Sequence, residues 1–181
     1  MKIKHLLALI AISAALLCSC GKKADTGVPS FPAAPDKIVI GVKGVQSELY
    51  PGDDRFDRIL SEVGARVKKS GGFDFLRLSA ENPETGEHLS QTLRDEETYV
   101  ELLYDEPRAQ SFSMARAGGE EAAEELEVQR IFLPLSGMYH NCIFIGQNSD
   151  YRSNMTLGQL TDNTALAVYV RETTEQMSAA D

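Results

Sequence analysis

The sequence predicts an α+β fold: a single domain in which a mostly antiparallel sheet carries one main amphipathic helix, from about Asp53 to Lys69. Three observations predict it. Short runs of β-branched and aromatic residues recur along the chain, separated by Gly, Pro, Asn and Asp clusters of the kind that turn a chain back on itself. A single long segment keeps apolar residues at the three- and four-residue spacing of a helix. No repeat at solenoid or propeller spacing is present, and 181 residues with 43% hydrophobic content can build one core of ordinary size.

The elements follow in order. Lys37-Ile38-Val39-Ile40-Gly41-Val42 is a β-branched run, and residues 46–50 pair back with it across Gly44. Pro51-Gly52-Asp53-Asp54 stops that hairpin and supplies an N-cap, with Asp57 also near the positive helix end. Phe56, Ile59, Leu60, Val63 and Val67 then form one apolar stripe. Arg66, Lys68 and Lys69 lie towards the negative end, and Gly71-Gly72 terminates the helix. The three aspartates lack the glycine and closing glutamate of a calcium loop, so capping accounts for them.

Residues 73–78 read as a strand, followed by a polar loop around 82–87. Residues 98–104 form the next strand, closed by Asp105-Glu106-Pro107, with 109–114 expected to pair antiparallel across that turn. The acidic, alanine-rich stretch 117–127 reads as a short exposed helix or an irregular excursion. Residues 128–135 are strand-like, with Pro134 near the end, and 140–145 return as a hairpin partner across Ser136-Gly137. A long polar loop over 146–154, one helical turn at 157–160 and a last strand at 165–170 complete the domain.

The first residues are built differently. Lys2 and Lys4 precede an apolar run from Leu6 to Leu17, the order of parts in a secretory signal peptide. At about 12 residues it is too short to span a bilayer, which takes about 20. The run ends in Leu17-Cys18-Ser19-Cys20, which resembles the lipobox of bacterial lipoproteins. That resemblance implies cleavage after Ser19 and a lipid-modified Cys20 as the mature N-terminus. The alternative is a general signal-peptidase cut at Ser13-Ala14-Ala15, which leaves two free thiols on an apolar stub. The expected organisation is therefore 1–19 signal peptide, 20–36 lipidated tether, 37–171 the α+β domain and 172–181 a frayed tail. Pro29, Pro32 and Pro35 make the tether extended. The expected address is the outer face of the bacterial cell membrane, or the outer membrane where the source has two.

Composition narrows the function. The chain carries a net charge of −9, and losing Lys2 and Lys4 makes the mature chain more acidic still. Such a charge opposes nucleic acid and anionic lipid surfaces, so the covalent lipid, rather than a basic patch, is what holds the protein to a membrane. With Cys18 removed and Cys20 lipidated, Cys142 is alone and no internal disulfide forms; its strand-like setting reads as a small buried hydrophobe. There is no Gly-x-Ser-x-Gly elbow. Ser136 and His140 share a turn by coincidence, and His88 and His140 stand too far apart for zinc spacing. Glu120, Glu121, Glu124, Glu125 and Glu127 read as a solvated face or a docking surface for a basic partner. Tryptophan is absent, which weakens a carbohydrate role; Tyr139, Tyr151 and Tyr169 remain as aromatic candidates. No cofactor beyond the lipid is expected. The expectation is a non-enzymatic module that binds an envelope protein. A small-ligand or peptide sensor and a carboxylate enzyme acting on envelope polymers are the alternatives.

Overall fold

The structure is a computed structural model that describes residues 30–69, 72–76, 89–116, 118–147, 150–158, 160–161 and 163–180. Residues 1–29, where the signal peptide, lipobox and first part of the tether are expected, and residues 82–87, where a polar loop is expected, lie outside the described residues. Among the described residues, seven strands and three helices make an α+β fold in a single domain. The strands are β1 Lys37–Val42, β2 Val45–Leu49, β3 Asp74–Leu76, β4 Thr98–Ala115, β5 Glu121–Pro134, β6 Ile143–Gln147 and β7 Asp150–Gly158; the helices are α1 Asp54–Lys69, α2 Leu89–Glu96 and α3 Thr164–Ser178. The sheet order is β2-β1-β4-β5-β6-β7-β3, and every neighbouring pair is antiparallel.

Helix α1 forms as its spacing predicts. Asp53 caps it: its Oδ1 accepts the Arg55 backbone N–H at 2.8 Å, and the same carboxylate pairs with the Arg55 guanidinium at 2.6 Å. That pairing holds the Asp53 carboxyl below its ordinary range. Phe56, Ile59 and Val63 are buried against the sheet. Alternation then assigns the strand residues. Ile38 and Ile40, Val100 and Leu102, Ile131 and Leu133, and Ile143 and Ile145 face this same layer, as a two-residue period requires.

Four expectations are corrected. First, 165–170 is not a strand and the chain from 172 is not a frayed tail, because 165–170 and 172–178 belong to α3, which runs to Ser178. Leu166, Ala167, Val170, Thr173 and Thr174 are buried, a helical stripe that crosses from apolar into polar-looking sequence. The Thr174 hydroxyl is satisfied by donating to the Val170 carbonyl at 2.9 Å, a local bond that a threonine inside a helix commonly makes. Second, 109–114 does not fold back on 98–104. Asp105-Glu106-Pro107 is an irregularity within one long strand, β4, whose outer half pairs with β5 from Arg108↔Val128 to Ala115↔Glu121. The acidic stretch is thereby half of a hairpin rather than a helix or excursion. Third, 146–154 is not a long loop; β6 and β7 pair up to Gln147↔Asp150, and residues 157–158 are strand, not a helical turn.

Fourth, the tether does not extend to residue 36. Ser30 bridges Ser111 in parallel, and Phe31 is 6% exposed. Its ring stacks on Phe112 at 4.6 Å and meets Phe73 edge-on at 6.4 Å. Gln110 Oε1 accepts the Ala33 N–H, and the Tyr104 hydroxyl donates to the Ala33 carbonyl, both at 2.9 Å. The Arg108 guanidinium pairs with Asp36 at 2.7 Å. Composition reads the prolines as a free spacer; the burial of Phe31, backbone pairing and the Arg108–Asp36 ion pair dock residues 30–36 instead.

Candidate functional site

The opposite face of the sheet carries a second, smaller core with charge inside it. Register builds it. Val39 stands opposite Glu101, Glu101 opposite Phe132 and Phe132 opposite Phe144; one row along, Leu103 faces Arg130, Arg130 faces Gly146 and Gly146 faces Tyr151. Glu101 therefore lies on one face with Arg130 and Tyr151. Helix α2 covers part of this face, burying Ser90 and Leu93 and placing Arg94 beside the strand glutamate. Its C-terminal end is held by backbone bonds from Gly44 to the Arg94 carbonyl at 3.0 Å and from Lys43 to the Glu97 carbonyl at 3.1 Å.

Glu101 is 4% exposed. Its Oε1 accepts from Arg94 Nη2 at 2.9 Å and from the Tyr151 hydroxyl, and Arg130 Nη1 stands 3.9 Å away. Aromatic rings wall the cations: Arg94 lies 5.4 Å from the Phe132 centroid and 5.7 Å from that of Tyr151, with Arg130 5.5 Å from Tyr151 on its own side. At such distances a ring face attracts a guanidinium while excluding water. Tyr99 completes the cluster. Its ring lies directly over Gly41, where a Cβ would come within 2.3 Å of Cε1, and its buried hydroxyl has no hydrogen-bond partner among the described residues.

The electrostatics follow from burial. Removal from water pushes the Tyr99 phenol up to about 12, with the Glu101 charge adding to it, and drives Tyr151 further in the same direction for the same reasons. Tyr104, whose hydroxyl donates to the Ala33 carbonyl, is also raised to about 12 by burial. Ordinary tyrosines lose their proton near pH 10. Above that pH the unfolded chain releases protons that the folded chain retains, so stability present in full below pH 10 is lost as pH climbs through 12. Phenolate absorbance of the buried tyrosines is expected to appear together with loss of the circular dichroism signal. Complete titration of all six tyrosines near pH 10 in a protein that stays folded would contradict this burial.

Sequence-singled residues fall elsewhere. Ser136 and His140 do not form a dyad. The Ser136 hydroxyl accepts the Thr98 N–H at 2.8 Å and bonds Glu97 at 2.5 Å, while His140 Nδ1 lies 2.9 Å from the Gly137 carbonyl. Gly137 itself has φ of +70°, and a Cβ there would stand 2.0 Å from Glu97 Oε1. Gly137→Ala should therefore cost at least the ~1–2 kcal/mol of a left-handed alanine and loosen the end of α2; an unchanged urea midpoint would refute the close packing. Cys142 is 3% exposed, and burial raises its thiol, so it stays protonated at neutral pH. Tyr139 packs edge-on to Phe144 at 6.2 Å, and Tyr169 accepts the Arg58 guanidinium on its face at 3.8 Å. Arg66, expected near the C-terminus of α1, is 4% exposed; its Nε donates to the Thr161 carbonyl at 2.9 Å beside a cavity of about 230 Å³. The glutamates at 120, 121, 124, 125 and 127 are exposed on the β4–β5 hairpin. Leu17, Cys18, Ser19 and Cys20 lie outside the described residues.

Of the five residues that make the cluster, the sequence reading singles out Tyr151 alone, as an aromatic candidate; Arg94, Tyr99, Glu101 and Arg130 are not apparent from it. A signal existed: Glu101 and Arg130 are single charges inside apolar strands. Only the β4–β5 register brings them to one face. What fold and cluster define is a single-domain α+β protein whose sheet has a larger core under α1 and α3, mostly aliphatic with Phe31, Phe56, Phe73, Tyr104 and Phe112 in it, and a smaller aromatic, ion-bearing side under α2. The chain matches no family model, no curated protein and no solved structure.

Proposed function

We propose that this protein is a membrane-anchored envelope lipoprotein whose folded domain binds another envelope protein and is not an enzyme. The observation that carries the reading is the tetrapeptide Leu17-Cys18-Ser19-Cys20 at the end of a short apolar run. Cys20 carries the lipid, and the acidic domain is held at the surface by acyl chains, each buried methylene contributing about 0.8 kcal/mol. Two features favour binding over catalysis. The buried charges of the second face are used in fixing α2 to the sheet, and the serine and histidine of the 136–140 turn bond to other groups. The exposed glutamates of the hairpin suit a partner with a basic surface.

In-cell cross-linking followed by affinity capture tests this reading. The tagged wild type is expected to recover one envelope protein at near-stoichiometric yield, and Cys20→Ala to lose it. Recovery of nothing above background from either form would overturn the binding role. The unpartnered hydroxyl of Tyr99 favours a second reading, a small-ligand sensor. Under that reading one compound class raises the melting temperature saturably, and Tyr99→Phe alters that response.

A further inference from the structure

We propose that the segment from Ser30 to Asp36 is a strap that sets the reach of the anchor, confining the folded domain to the layer next to its own membrane. The inference rests on the lipid-anchor reading above and adds to it where a partner must lie. Ser30 stands ten positions after Cys20, and Lys37 seventeen positions after it. A chain spans at most about 3.5 Å per residue, so docking the strap cuts the maximum reach from about 60 Å to about 35 Å. A domain of this size is roughly 40 Å across. The strapped domain therefore cannot leave the bilayer by more than about its own width, and its partner is a protein embedded in, or lying against, the same membrane.

The strap is held by more than one kind of contact. Phe31 fills the space between Phe73 and Phe112. Its backbone N–H donates to the Ser111 carbonyl at 2.9 Å, and the Asp36 N–H donates to Leu103 at the same distance. Arg108 closes the far end by donating to the Ala34 carbonyl and the Asp36 carboxylate. Apolar burial, backbone pairing and an ion pair thus act on seven consecutive residues. The irregularity in β4 between Leu103 and Arg108 falls where Asp36 docks, and the Asp105 N–H donates to its carboxylate at 2.9 Å.

The test uses the lipidated protein in phosphatidylcholine vesicles. Amides of Phe31, Ala33 and Asp36 are expected to exchange with deuterium at least about 100-fold more slowly than an unstructured peptide; exchange at the unstructured rate overturns the strap without any substitution. Reach is read by energy transfer from a donor on Ala123→Cys, an exposed hairpin position, to an acceptor on the lipid headgroups. Seven Gly and Ser residues inserted after Ala24 calibrate the loss of transfer. Phe31→Asp with Arg108→Ala, checked for folding, should lose transfer by the same fraction with no insertion; wild-type transfer from that folded variant overturns the proposal. Flotation of wild type but not Cys20→Ala supports the anchor on which the proposal stands. A wild type that does not float overturns the anchor and the reach with it, whereas floating with fast exchange overturns the strap alone.

Discussion

Glu101→Leu is expected to destabilise the domain by about 3–5 kcal/mol, the cost of leaving a buried cation without its partner. Glu101 Oε1 accepts from Arg94 and from the Tyr151 hydroxyl, with Arg130 3.9 Å away, and the side chains of the 2.9 Å Arg94 pair are only 17% and 6% exposed. For a domain of this size that corresponds to a fall in melting temperature of roughly 10 °C or more. Arg94→Met in the same background should restore much of the loss, because an apolar pair of similar volume removes the stranded charge. A single variant that melts like wild type would show that water reaches the cluster and that α2 is not fixed through it. Equal losses for the single and double variants would place the cost elsewhere.

Phe31→Ala is expected to cost about 3–5 kcal/mol, the range for removing a buried aromatic side chain. The loss has an identified source: Phe112 and Phe73 each lose a ring partner. The chain-denaturation midpoint in urea reads it, with the slope unchanged if the rest of the domain stays intact. A midpoint shift equivalent to less than about 0.5 kcal/mol, the usual scale for a surface change, would mean that 30–36 is a tether after all. The expected result places the start of the folded unit at Ser30, so a version beginning at Lys37 should be poorly soluble.

How far the sequence reveals this molecule depends on whether a residue's partner is near it in the chain. Helix α1 was legible because its cap, stripe and charges all lie within about twenty residues. The β1–β2 hairpin was legible because the two-residue turn Lys43-Gly44 joins it, and the β5–β6 pairing because its strands are neighbours in the chain, although residues 135–142 rather than a tight turn connect them. Helix α3 was misread because Ala165-Leu166-Ala167-Val168 contains alternating branched residues, and its helical stripe becomes visible only when Thr173 and Thr174 count as buried. The long β4–β5 hairpin was hidden by Pro107, which marks a turn locally but here sits in an irregularity of a continuing strand. The site was least legible. Arg94, Glu101, Arg130 and Tyr151 come from three strands and a helix, and no local pattern links them. The strap was missed for a related reason: Phe31 is one apolar residue in a proline-rich stretch, and its neighbours Phe73 and Phe112 are supplied by distant parts of the chain.

The lipid on Cys20 is the claim from which address, partner class and reach all follow, and the mass of the mature N-terminal fragment tests it most directly. Purified from its native membrane and digested, the protein should yield a first fragment beginning at Cys20 and heavier than its sequence by the acyl chains. Cys20→Ala should yield no acylated fragment. An unmodified fragment beginning at Leu16, as a cut after Ala15 would leave, would contradict the account and make the protein a secreted domain without an anchor.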